Sequence, residues 1–217
     1  MSSPGFVSIK LEGVDKLLKS LDPQKVQGAA KAAIGRTKTS ARSEASKLIT
    51  SVWNIGKRNL ETMATGKPRI EVSGGVGNDL SATITFWSGG ISLVYFGAKE
   101  FRLTAARSRQ TARRGGQAYS KGAKTLVGIR VQTLRGGPTA MLRQFFSTMR
   151  SGHKGVFRRD PAGGKTKAGN ARIIESSAVG IATMVNQPRV LPKLKQHILD
   201  TFQKRFTHEL KQRGVIG

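Results

Sequence analysis

Alternation opens the chain. Val7, Ile9 and Leu11 fall on one side of an extended segment and Ser8 and Lys10 on the other, which predicts a half-buried strand over 6–11. Val14, Leu17, Leu18 and Leu21 then take helical spacing and predict a brief helix. Asp22-Pro23 is a helix start, because an aspartate accepts from the orphan amides of a first turn and proline suits the first helical position. Beyond it Val26, Ala30, Ala33, Thr37, Ala41, Ala45, Leu48 and Val52 recur at three- and four-residue spacing. The pattern predicts a helix of roughly 30 residues, ended by Asn54 and Gly56. Its apolar stripe is thin and alanine-rich, and Gly28 and Gly35 each cost about 1 kcal/mol relative to alanine. Small residues of this kind permit close approach of another backbone. A short helical turn over 57–63 follows.

The middle of the chain has the two-residue period. Ile70 and Val72 begin it, and Leu80, Ala82, Ile84 and Phe86 alternate with Ser81, Thr83 and Thr85. After Ser88-Gly89-Gly90, a third strand is expected over 91–96, the second and third forming an antiparallel hairpin. Val127, Ile129 and Val131 suggest a fourth strand, and Val179, Ile181, Thr183 and Val185 a later one. The chain closes on Leu191, Leu194, Ile198, Phe202, Phe206 and Leu210, an amphipathic helix with Lys and Arg opposite. The expectation is an α+β fold in one domain over 1–217: an antiparallel sheet flanked by the long N-terminal helix and the C-terminal helix.

Two stretches lack the means to join a core. Residues 104–125 contain no Leu, Ile, Val or Phe, six basic residues and no acid. Residues 158–172 lack the same four types and carry five basic residues, one Asp and three glycines. Both are expected to be long, mobile basic loops. They belong to a wider asymmetry. The chain has 38 Lys and Arg against 12 Asp and Glu, a formal net charge of +26. Between Lys99 and Arg172 stand 18 basic residues and 2 acids, so the charge is concentrated there. Solvated charge runs normally mix signs; a nearly pure sign favours phosphate or an acidic protein surface as partner. The candidate contact residues are Arg107, Arg109, Arg113, Arg114, Lys121 and Lys124 in the first stretch. In the second they are Arg158, Arg159, Lys165, Lys167 and Arg172.

Composition and spacing argue against most catalytic chemistry. With no Cys there is no disulfide scaffold, thiol nucleophile or thiolate zinc site. Gly164-Lys165-Thr166 ends like a phosphate-binding loop, but Arg159 stands where its first glycine is required and no strand leads in. Gly74, Gly75 and Gly77 open no helix, so they form a turn rather than a dinucleotide cradle. His153, His197 and His208 show no helical metal-site spacing. His197 and His208 suit a solvated face of the last helix, and His153, between glycines and basic residues, is expected to be a positioned structural histidine. Phe145, Phe146 and Phe157 sit among arginines but aromatics are only 6% of the chain, so they are assigned to the core rather than to a base-stacking platform. No catalytic residue, cofactor or metal is expected. The opening Met1-Ser2-Ser3-Pro4-Gly5 lacks the pattern of a secretion signal, and no apolar run is long enough to span a membrane.

Several stretches together resemble one family. They are Val7-Ser8-Ile9-Lys10-Leu11-Glu12-Gly13 with the Leu-Leu segment after it, the long alanine-rich helix, and Trp53-Asn54-Ile55-Gly56-Lys57-Arg58-Asn59-Leu60. Tyr95-Phe96-Gly97-Ala98-Lys99 follows, and the most specific block is Ser151-Gly152-His153-Lys154-Gly155-Val156-Phe157-Arg158-Arg159. In order and spacing they resemble the minor tail protein Z, or tail-completion, family of tailed bacteriophages. The loop over 160–170 departs from the pattern in being rich in Gly and Lys. The resemblance implies a non-enzymatic virion protein of the neck or upper tail, made in the host cytoplasm. It implies a homo-oligomeric ring, expected to be a hexamer, that meets the tail terminator and the head–tail connector and helps place the DNA end. Six copies at +26 each demand DNA in the lumen, acidic neighbours, or both. The alternative, from a different class, is a cellular RNA- or DNA-binding protein of ribosomal type.

Overall fold

The computed structural model describes residues 5–9, 22–63, 65–74, 80–104, 125–136, 139–142, 144–166, 169 and 171–216. The fold is α+β, with the long N-terminal helix, antiparallel sheets and a C-terminal helix. The chain divides into two compact units. The first comprises 1–52, 57–89 and 179–217, and the second 53–56 and 90–178. Among the described residues no helix is long and apolar enough to cross a membrane.

In the first unit, α1 (Pro23–Val52) starts as its sequence predicts. The Asp22 side chain accepts from the Gln24 amide at 3.1 Å and its carbonyl accepts from the Val26 amide at 3.1 Å. Val26, Ala30, Ala33, Thr37, Ala41 and Ala45 are buried as expected, but the stripe continues to Ile49 rather than to Leu48 and Val52. The last three steps are each four residues, so the buried line moves slowly round the helix. This line packs against α4 (Leu191–Gln212), which buries Leu194, Ile198 and Leu210 and stacks Phe202 on Phe206 at 5.4 Å. Polar contacts tie the same pair of helices. Ser40 Oγ lies 2.9 Å from His197 Nε2, so His197 belongs to the helix interface and not to a solvated face; His208 is exposed. Glu209, only 8% exposed, lies between Arg36 at 3.4 Å and Arg213 at 3.8 Å.

The first unit's sheet has β3 (Ala82–Phe86) at its centre, antiparallel to β1 (Gly5–Ile9) and to β2 (Ile70–Gly74). Ile70, Ile84 and Phe86 are buried. The short α2 (Lys57–Glu61) adds Leu60, and Glu61 accepts from the buried Ser46 hydroxyl at 2.7 Å. Residues 179–185 are not a strand: Ile181–Val185 form α3, which buries Ile181, Ala182, Met184 and Val185. That is a helical face, and Ile181 and Val185, four apart, fit a two-residue period as well as a helical one. The brief helix expected over 14–21 lies outside the described residues.

The expected hairpin between 80–86 and 91–96 does not form. β4 is only Ile91–Ser92, pairs with β11 (Ser177–Ala178) in the second unit, and runs into a 3₁₀ turn over Leu93–Phe96. The second unit also holds a sheet of β5 (Lys99–Thr104), β6 (Thr125–Val131) and β7 (Thr139–Leu142), with β6 central. A third sheet orders β8 (Gln144–Thr148), β9 (Lys154–Lys165) and β10 (Ala171–Glu175) as β10-β9-β8. The second unit's core includes Trp53, Ile55, Ile91, Leu93, Phe96, Ile129, Val131, Val156 and Phe157. Trp53 bridges to Leu134, and the Asn54 amide donates to the Thr133 carbonyl at 2.9 Å, which gives the Trp-Asn-Ile stretch a packing role.

The two α1 glycines differ in a way that stability measurements read out. A Cβ on Gly35 meets nothing within 4 Å, whereas one on Gly28 lies 2.8 Å from the Arg213 guanidinium that also faces Glu209. Gly35→Ala is expected to stabilise the protein by about 1 kcal/mol and to raise Tm by about 2–4 °C. Gly28→Ala gains the same propensity but displaces Arg213, so its rise is smaller or reversed. Thermal unfolding of both variants checks the difference.

Candidate polyanion and partner interface

The Ser151–Arg159 block begins as a tight turn between β8 and β9. The Gly152 amide donates to the Met149 carbonyl at 2.9 Å, and the Met149 amide donates to the His153 carbonyl at 2.8 Å. Gly152 has φ +79°, a conformation that costs a side chain energy. The turn presents His153, whose Nε2 lies 3.0 Å from Glu175 Oε1, with its ring edge-on to Phe157 at 6.4 Å. Gly155 is where the Glu175 side chain lies against β9. A Cβ there would lie 2.7 Å from Glu175 Oε1 and 3.0 Å from the Phe157 ring. His153 thus stands at the base of the sheet, beside Glu175 and Phe157. Its partner Glu175 is 22 positions away in sequence, so spacing alone did not reveal it.

Beyond this base the environment of β9 changes within two residues. Val156 and Phe157 point to opposite faces and both are buried; Arg158 and Arg159 point to opposite faces and both are exposed. Phe157 packs on half-buried Phe145 at 6.5 Å, and the Arg159 guanidinium lies over the Phe145 ring at 5.7 Å. Phe146, expected in the core, is 38% exposed.

Residues 158–172, expected as a loop, therefore belong mainly to an antiparallel ribbon. Ile174 pairs with Arg158, Ile173 with Arg159 and Arg172 with Asp160, with a register shift between Ala171 and Arg172. The reason is that antiparallel pairing satisfies backbone groups without a core, provided the ends are anchored. Val156 and Phe157 anchor one strand, while Ile173 and Ile174 lie just past the stretch that lacks apolar residues. The single acid is held locally, since Asp160 accepts from the Ala162 amide at 3.2 Å.

Arg158, Arg159, Lys165 and Arg172 are all exposed on this ribbon, and Lys167 lies outside the described residues. Arg107, Arg109, Arg113, Arg114, Lys121 and Lys124 also lie outside them. The strands that bracket that stretch are paired, Thr104 opposite Thr125. Among the described residues no three His, Cys, Asp or Glu side chains group as metal ligands do. What the geometry offers is a shaped basic surface on a rigid base.

The base carries its own test. Gly155→Ala is expected to cost about 1–3 kcal/mol, because the new methyl must displace Glu175 or the buried Phe157 ring. Adding Glu175→Ala should recover part of that loss in urea denaturation. Two independent, additive losses would mean that the close approach at Gly155 is not what holds the site.

Comparison with known proteins adds no relative: no family model, no curated protein and no solved structure matches the chain.

Proposed function

We propose that this chain is a structural protein of a tailed bacteriophage virion that completes the tail at its head-proximal end and serves head–tail joining and placement of the DNA end. One observation carries the reading. The Ser151–Arg159 block, on which the resemblance to tail-completion proteins is most specific, is built to seat Val156 and Phe157 in a core and turn Arg158 and Arg159 outward. Such a block positions charge at the surface, which suits an assembly component. The partners that fit are acidic neck and tail proteins, further copies of the chain in a ring, and duplex DNA in the lumen. Repulsion between copies at +26 each acts over a Debye length of about 8 Å at physiological salt, so the ring forms on the tail, where anionic neighbours relieve it.

The exposed cations of the ribbon also favour a second reading, a cellular RNA- or DNA-binding protein of ribosomal type. Stoichiometry and location separate the two. Silencing the gene during phage production should yield full heads and finished-length tails that fail to join, with joining restored by the intact chain. Normal virions made without the protein, with the chain sedimenting in ribonucleoprotein particles, would overturn the tail reading.

A further inference from the structure

β10 is an edge strand of unusual make-up. Among the described residues it pairs with β9 alone, and no described strand pairs with its other side. The Ser176 amide donates to the Val156 carbonyl at 2.8 Å, which sets the alternation of the ladder. By that alternation Arg172 and Ile174 direct their backbone toward β9, while Ile173 and Glu175 direct theirs to the open side. The side chains are as unusual. Ile173 and Ile174 are consecutive, so they lie on opposite faces of the sheet, and each is 39% exposed. Natural edges are blunted with charge or proline at such places. Here β-branched residues stand at the edge, and the cations Arg158, Arg159 and Arg172 stand beside them.

We propose that the open edge of β10 is a strand-addition site for an extended acidic segment of a partner protein, one with adjacent apolar residues flanked by Asp or Glu. Backbone pairing to Ile173 and Glu175 supplies the affinity, and the two isoleucines and flanking arginines supply the selection. Charge complementarity excludes a second copy as the favoured occupant, because its ribbon would bring arginines against arginines and each chain bears +26. Nucleic acid suits the arginines but uses neither the isoleucines nor the outward amides. The inference goes beyond the proposed tail function and stands or falls separately from it, since the edge is a property of the chain in isolation.

The test uses the full chain and a capped peptide Asp-Glu-Ile-Ile-Glu-Asp, with Lys-Lys-Ile-Ile-Lys-Lys and a short DNA duplex as comparison ligands. Amide hydrogen exchange should show Ile173 and Glu175 becoming protected on adding the acidic peptide, with Ile174 already protected before it. Ile173→Pro removes an outward donor and spares the bonds to β9, so it should weaken the peptide by at least about tenfold while Ile174 keeps its protection. Should the proline disturb the ribbon, the double variant Arg158→Glu, Arg159→Glu decides instead: it should lose the acidic peptide and accept the basic one, with the same two amides protected. Peptide binding without protection of Ile173 and Glu175, no peptide binding, or equal binding of both peptides would overturn the proposal. Binding of the duplex alone would identify the ribbon as a phosphate-contacting arm and overturn it as well.

Discussion

Carboxylates are outnumbered three to one by Lys and Arg in this chain, and burying a cation without a partner is costly, so the placement of a few acids governs where the rest of the charge can stand. Glu209 receives Arg36 and Arg213 beside the pairing of the two long helices. Glu61 lies 3.8 Å from Lys57 and accepts from Ser46 on α1. Glu175 meets His153 at the base of the basic ribbon. At each of these places an acid stands beside the packed interior, and the ribbon beyond Phe157 turns its cations to water.

The same constraint explains why the ribbon is built as it is. A strand rich in Arg, Gly and Lys has little to bury, and backbone pairing is what it can use. It is fastened where the last apolar residues occur, at Val156 and Phe157, with Gly155 clearing the way for Glu175. Fastening at one end holds exposed cations in fixed register while they remain hydrated. In the proposed strand addition, such a surface would recognise by position and charge, with the isoleucines at its edge adding a contact that charge alone does not provide.

The long helices were legible because a 3.6-residue period repeated over more than twenty positions leaves little freedom, and Asp22 marked where the first one starts. Short elements were not. Ile181 and Val185, four apart, satisfy a strand pattern and a helical face at once, and only the burial of Ala182 and Met184 separates them. The pairing of β4 with β11 joins residues 85 or more positions apart, beyond any local signal. The ribbon was hidden for a related reason. Its composition reads as loop, and what defines it is the register between Arg158, Arg159 and the isoleucines that follow the loop-like stretch. The glycine neighbours of His153 raised the expectation of a positioned residue; the nearness of Glu175, 22 positions on, was not legible.

The proposed tail role requires the basic ribbon to be ordered against an anionic neighbour at the head–tail junction. Electron cryomicroscopy of purified virions at the head–tail junction tests this directly. The account predicts density for this chain at the head-proximal end of the tail, with β9 and β10 continuous with an acidic strand of an adjacent protein along the Ile173 edge. A junction whose density is filled by other chains would contradict the tail role, while this chain present there with that edge facing solvent would contradict the strand-addition proposal alone.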